Sequence, residues 1–183
     1  MARKSAKIDK RGELAANLSS ALPSDGESSY ELSTAFIPAL TRRYIGIWAV
    51  VEHLMEGEPW IDRFSAEKLR GAELREPLYR ATYDFNEKVC IKRVSVEGRL
   101  ALAEGEVSYE YKTTVALDWE PGPAGRLCVR PEIGYQFSSL DGQIAAVREL
   151  ERAGKASIVQ SRFEGGDLVL EEGGDYKRLR KVD

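Results

Sequence analysis

Along residues 106–119 apolar and polar side chains alternate without a break. Val107, Tyr109, Tyr111, Thr113, Val115, Leu117 and Trp119 hold the odd positions, with Ser108, Glu110, Lys112, Thr114, Ala116 and Asp118 between them. Successive Cβ atoms of a pleated strand point to opposite faces, so this period of two predicts a strand with one apolar and one wet side. Residues 126–138 repeat the pattern with Leu127, Val129, Pro131, Ile133, Tyr135 and Phe137. The connection, Glu120-Pro121-Gly122-Pro123-Ala124-Gly125, is dense in turn formers. Together they predict a long antiparallel hairpin. Odd positions facing odd positions set Trp119 opposite Leu127, Leu117 opposite Val129, Tyr111 opposite Tyr135 and Tyr109 opposite Phe137. A one-residue slip would set this row against the charged one, so register is strongly specified. Thirteen extended residues span about 43 Å, which calls for a bend or bulge. Pro131 has no N–H to donate and belongs at such a bulge or at an unpaired ladder position.

The rest of the chain reads as shorter strands and turns. Residues 44–55 (Tyr44, Ile45, Ile47, Trp48, Val50, Val51, Leu54) are rich in β-formers on both faces, as in a strand covered on both sides. Ala35-Phe36-Ile37-Pro38-Ala39-Leu40 predicts a short helix leading into it. Residues 62–77 are mixed and charged, and their 65–75 stretch fits helix or loop. Residues 78–86 alternate cleanly, and Asn86-Glu87-Lys88 turns into 89–96, then 99–103. Asp141-Gly142 opens a predicted late helix, about 142–153, with Ile144, Ala145, Val147, Leu150 and Glu151 at helical spacing and Gly154 as its stop. Three strands at 156–163, 167–171 and 175–182 follow, separated by Gly165-Gly166 and Gly173-Gly174. The prediction is a mainly β domain over 30–183, an antiparallel up-and-down meander with a short N-terminal helix and one late helix. Residues 1–29 form a basic, polar tail (Arg3, Lys4, Lys7, Lys10, Arg11) expected to be flexible.

Composition narrows the chemistry. The 183 residues carry a net charge of −3, with 43% hydrophobic and 31% charged residues, which fits one globular domain and does not favour nucleic acid as a partner. Two cysteines, Cys90 and Cys128, are too few for a disulfide scaffold and fit a reducing compartment. The charged start shows no secretory leader, and no run reaches eighteen apolar residues, so neither export nor a membrane span is expected and the cytoplasm is the predicted location. His53 is the sole histidine, which leaves no His/Cys ligand spacing for a metal. No Gly-rich nucleotide loop and no Gly-x-Ser-x-Gly elbow occurs, so no cofactor is expected.

Gly46-Ile47-Trp48, at the head of the first strand after a short helical lead-in, resembles the Gly-x-Trp opening of lipocalins and lipocalin-like proteins. Arg178 or Arg180 in the closing strand matches that family's arginine packed across the tryptophan, and the endings Gly166-Asp167-Leu168-Val169-Leu170 and Gly174-Asp175-Tyr176-Lys177-Arg178 look like the last hairpin of bacterial members. The resemblance covers roughly residues 35–183. It implies a lipocalin-like β-barrel whose lumen holds one small hydrophobic or amphipathic molecule. On that reading Tyr79, Tyr83, Tyr109, Tyr111, Tyr135 and Phe137 contact the ligand, while Gly46, Trp48 and Arg178 close the barrel base. Buried tyrosine hydroxyls need partners, and a ligand can supply some of them. Two alternatives stand beside it. One is a cyclase- or isomerase-like enzyme with His53 as the candidate acid or base. The other is an interaction protein with a filled core, engaging a partner through its tail or an edge strand.

Overall fold

The computed structural model describes residues 39–69, 72–150 and 156–182; the predicted tail, 1–29, lies outside them. A four-residue helix, α1 (Ala39–Arg42), leads into β1 (Gly46–Met55). After a tight turn come β2 (Glu58–Pro59) and α2 (Trp60–Lys68). Four long strands follow: β3 (Glu73–Phe85), β4 (Val89–Leu102), β5 (Gly105–Pro121) and β6 (Arg126–Leu140). The chain continues through β7 (Gln143–Leu150), β8 (Ser157–Glu164), β9 (Asp167–Glu172) and β10 (Asp175–Lys181). Eight of these strands close antiparallel in the order β1, β3, β4, β5, β6, β8, β9, β10, and β10 pairs back onto β1. The predicted meander is therefore a closed barrel, with β2 and β7 as additions to β1 and β6. No helix among the described residues is long and apolar enough to cross a membrane.

Turn chemistry explains much of the path. At the β3–β4 turn the Asn86 Oδ1 accepts hydrogen bonds from the Lys88 and Val89 N–H groups at 3.2 and 2.9 Å. The Asn86 carbonyl accepts from the Trp119 indole at 2.9 Å, which ties this turn to the end of β5. The two Gly-Gly pairs form the β8–β9 and β9–β10 hairpins as expected, with positive φ at all four glycines.

The central hairpin differs from its predicted register. Trp119 opposes Val129 and Leu117 opposes Pro131, but Ala116 opposes Ile133, so Glu132 is an extra residue in β6. This is the bulge that Pro131 demanded. One extra residue inverts the parity of everything beyond it. Tyr111 faces Ser138 and Tyr109 faces Leu140, whereas Tyr135 pairs with Thr114 and Phe137 with Lys112. Tyr135 and Phe137 therefore lie on the opposite face of the sheet from Tyr109 and Tyr111.

The late helix is also corrected. Residues 143–150 form β7, an edge strand paired with Gly134–Leu140 of β6; residues 151–155 lie outside the described set. Asp141-Gly142 is a two-residue hairpin turn with φ of 47° and 74°, the left-handed pair that Asp-Gly favours, rather than a helix start. β8 pairs only with Arg126–Val129, so without β7 the upper half of β6 would present an open edge. That pairing outweighs the helical spacing of Ile144 and Val147, which stand 67% and 64% exposed.

Two apolar clusters fill the interior. The lower one gathers Trp48, Phe85, Cys90, Trp119, Leu127, Leu168 and Leu179. The upper one forms where α2 lies on the inner face of β3, β4 and β5; of the 65–75 stretch that fits helix or loop, 65–68 end this helix and 73–75 begin β3. Phe64 of α2 is its buried residue, stacked 5.0 Å from Trp60 and tilted against Tyr111 at 4.9 Å, with Val96, Leu100 and Tyr109 around it. At the lower end Tyr44 donates to Ser161 Oγ at 2.8 Å, and Ser161 donates to the Gly125 carbonyl at 2.9 Å. A Cβ on Gly125 would run into the Ser161 carbonyl oxygen, whereas one on Gly142 would meet nothing within 4 Å. Both glycines have positive φ, 71° and 74°, so alanine costs about 1–2 kcal/mol of backbone strain at either. Gly125→Ala should lose a further ~1–3 kcal/mol from overpacking. Urea denaturation of the two variants measures that difference, and equal midpoints would refute the contact.

Candidate functional site

The barrel has a weak seam. β1 pairs with β3 only from Gly46 to Ala49, opposite Phe85 to Thr82, and then diverges from β3 while it stays paired with β10. Side chains join the strands where the backbone does not. The Tyr79 hydroxyl of β3 lies 2.7 Å from His53 Nδ1, and His53 Nε2 lies 2.8 Å from Asp175 Oδ1 of β10. The other oxygen of Asp175 takes the Lys177 ammonium. Trp60 of α2 stacks on the imidazole at 5.1 Å and 9°.

The protonation states follow from these surroundings. Burial pushes the Asp175 pKa up, but the hydrogen bonds from His53 and Lys177 outweigh it and hold the carboxyl at about 2. Burial pulls the His53 pKa below its ordinary value, and the Lys177 charge adds to this while Asp175 opposes it. Near neutral pH the pair is thus a carboxylate accepting from a neutral imidazole, whose Nε2–H donates to it. Nδ1 then accepts from the Tyr79 phenol, which burial keeps protonated.

Beside this network lies a cavity of about 290 Å³. Phe85, Cys90, Leu127, Val159 and Leu170 form its floor, with Val115, Leu117, Val129 and Pro131 on one wall. The rest of the lining is polar: Tyr83, Lys92, Lys177, Asp175, Glu171 and Glu172. Glu172 is exposed, so the cavity meets solvent there. Most of these charges are matched. Glu171 binds Arg162 at 2.8 Å, and Lys177 is held by Asp175. Lys92 has no ion pair among the described residues. Its ammonium sits 5.7 Å from the centre of the Tyr83 ring, within reach of a cation–π contact. Burial pulls its pKa below the usual lysine value, against the pull of Asp175, Cys90 and Glu172.

The predicted site residues are therefore dispersed. Tyr83 lines the cavity. Tyr79 is engaged with His53, and Tyr109 and Tyr111 belong to the cluster under α2. Tyr135 lies on the other face, near Glu149 of β7, and Phe137 pairs there with Val147. His53 has both ring nitrogens occupied and does not line the cavity. At the base, Trp48 donates its indole N–H to the Tyr44 carbonyl at 2.6 Å. The cation over its ring is Lys181, at 5.7 Å, not Arg178, which stands outside between Glu52 and Glu164. Gly46 has φ of 127°, and a Cβ there would collide with the Lys181 side chain. Lys92, Lys177 and Asp175 were missed. The signal for Lys92 was present, because it holds an inward position of the row Cys90, Lys92, Val94, Val96.

Among the described residues no group of three His, Cys, Asp or Glu side chains could hold a metal ion. Comparison with protein-family models, with curated proteins and with solved structures found no match. The class is set by the coordinates alone: a closed, eight-stranded antiparallel barrel with a partly polar internal cavity.

A histidine whose folded pKa lies below the unfolded value binds fewer protons folded than unfolded between those two values. Its stabilising contribution is complete above about pH 6.5 and is lost as the pH falls through that value toward the folded pKa. With His53 the sole histidine, NMR titration reports it without ambiguity, and its midpoint should lie below about 6.5. His53→Gln should flatten the same limb of a stability-against-pH curve. A midpoint at or above the ordinary value would overturn the assignment.

Proposed function

We propose that this protein is a lipocalin-like binder that takes up one small apolar or amphipathic molecule non-covalently in its barrel lumen. The observation that carries this reading is the cavity: apolar on its floor and one wall, polar over the rest of its lining, and reached from solvent beside Glu172. Its volume of about 290 Å³ sits at the lower edge of the roughly 300–1,000 Å³ usual for ligand sites, which selects a small occupant. Gly46-Ile47-Trp48 at the head of β1 and the closed eight-stranded sheet support the lipocalin-like reading. A cyclase- or isomerase-like role for His53 would need a free ring nitrogen facing the lumen. We place the protein in a reducing, cytoplasmic setting, a reading supported by its two unpaired cysteines, Cys90 and Cys128.

Ligand contact moves, on this reading, from the tyrosine set to Tyr83, Lys92, Leu117, Val129 and Val159. Filling the lumen with Val129→Phe should weaken an apolar fluorescent probe by about tenfold or more, ~1.4 kcal/mol. Tyr111→Ala, which alters the cluster under α2, should lower the melting temperature while the affinity stays as in the wild type. Fluorescence titration of both variants decides the matter, and a probe insensitive to Val129→Phe would contradict lumen binding.

A further inference from the structure

Resting on the lumen as a ligand site, we propose that Lys92 captures carbonyl compounds covalently, its ε-amine forming an imine with an aldehyde or ketone seated in the cavity. The inference comes from what surrounds this one amine. Lys177, the other lysine of the wall, is held by Asp175, and Glu171 is held by Arg162. Lys92 has only the Tyr83 ring beneath it, and across the ladder it pairs with Val115. An ammonium there gives up hydration without gaining an ion pair, which favours the neutral amine, the nucleophilic form. Asp175 and Glu172 act the other way, from farther off. The apolar floor holds the body of a carbonyl compound against that amine.

The step balances without an oxidant or reductant. The Nζ lone pair attacks the carbonyl carbon and the C=O π pair moves to oxygen. Both amine protons then leave with that oxygen as water, and a C=N bond replaces C=O. Water departs on the Glu172 side, where the cavity meets solvent.

The test treats the full chain with cinnamaldehyde and sodium cyanoborohydride, which reduces an imine to a stable amine, followed by intact mass and peptide mapping. The expected result is one adduct, the mass of the aldehyde less one oxygen, on Lys92. It should be lost in Lys92→Met and in Lys92→Arg, which retains a cation but cannot form the imine. Label spread over exposed lysines such as Lys88 and Lys112, with Lys92 no higher than they are, would overturn it in the wild type whether or not either variant folds. Cinnamyl alcohol separates the two readings. If the alcohol binds and quenches tryptophan fluorescence while the aldehyde leaves Lys92 unmodified, the imine fails and lumen binding stands. If neither compound binds, both fail.

Discussion

The seam where β1 leaves β3 is held by a hydrogen-bonded chain of four side chains that runs from Tyr79 of β3 through His53 of β1 to Asp175 and Lys177 of β10. A net hydrogen bond contributes only about 0.5–1.5 kcal/mol, or ~1.5–3 kcal/mol when one partner is charged. The larger effect is avoided cost, because a lone Asp175 or Lys177 in this position would be a poorly solvated charge without a partner. The chain is therefore cooperative. Each member makes its neighbour tolerable, and Trp60 of α2 covers the imidazole from one side. It also brings polar groups into a largely apolar interior, and its Asp175 and Lys177 end lines the cavity.

The second constraint is the bulge at Glu132. Below it β6 turns Leu127 and Val129 inward; above it, Gly134, Gln136 and Ser138 oppose the inward-facing Val115, Thr113 and Tyr111. The large side chains of the upper half thus face outward, and the space they would have filled is occupied by α2 with Phe64 and Trp60. The interior consequently has a packed floor and a helix-covered top, with the cavity between them and Lys92 at its side. A two-faced strand alone would have filled the lumen. The inverted parity leaves room for a guest.

Local signals were legible where they acted alone. Strict alternation over residues 107–119, the Gly-Gly turns and the Asn86 turn all appear as read, and Pro131 marked its bulge correctly. What escaped was non-local. The parity change moved Tyr135 and Phe137 outward although their spacing never varied. Ile144 and Val147 carry a helical spacing, yet the open edge of β6 draws them into a strand. α2 has a weak, charged sequence and folds onto the upper cluster through Phe64 and Trp60. The cavity's chemistry was harder still. Lys92 could be found by its inward position, but its lack of a counter-ion is a property of β9 and β10, about eighty residues downstream.

Whether the lumen is an open, apolar-floored space is the question from which binding and imine chemistry both follow. Xenon binds in open space lined by apolar side chains. Diffraction from crystals of the protein under xenon pressure measures this directly. A xenon atom among Leu117, Leu127, Val129 and Val159 is the expected result. Those side chains closed upon one another, with no xenon between them, would contradict it.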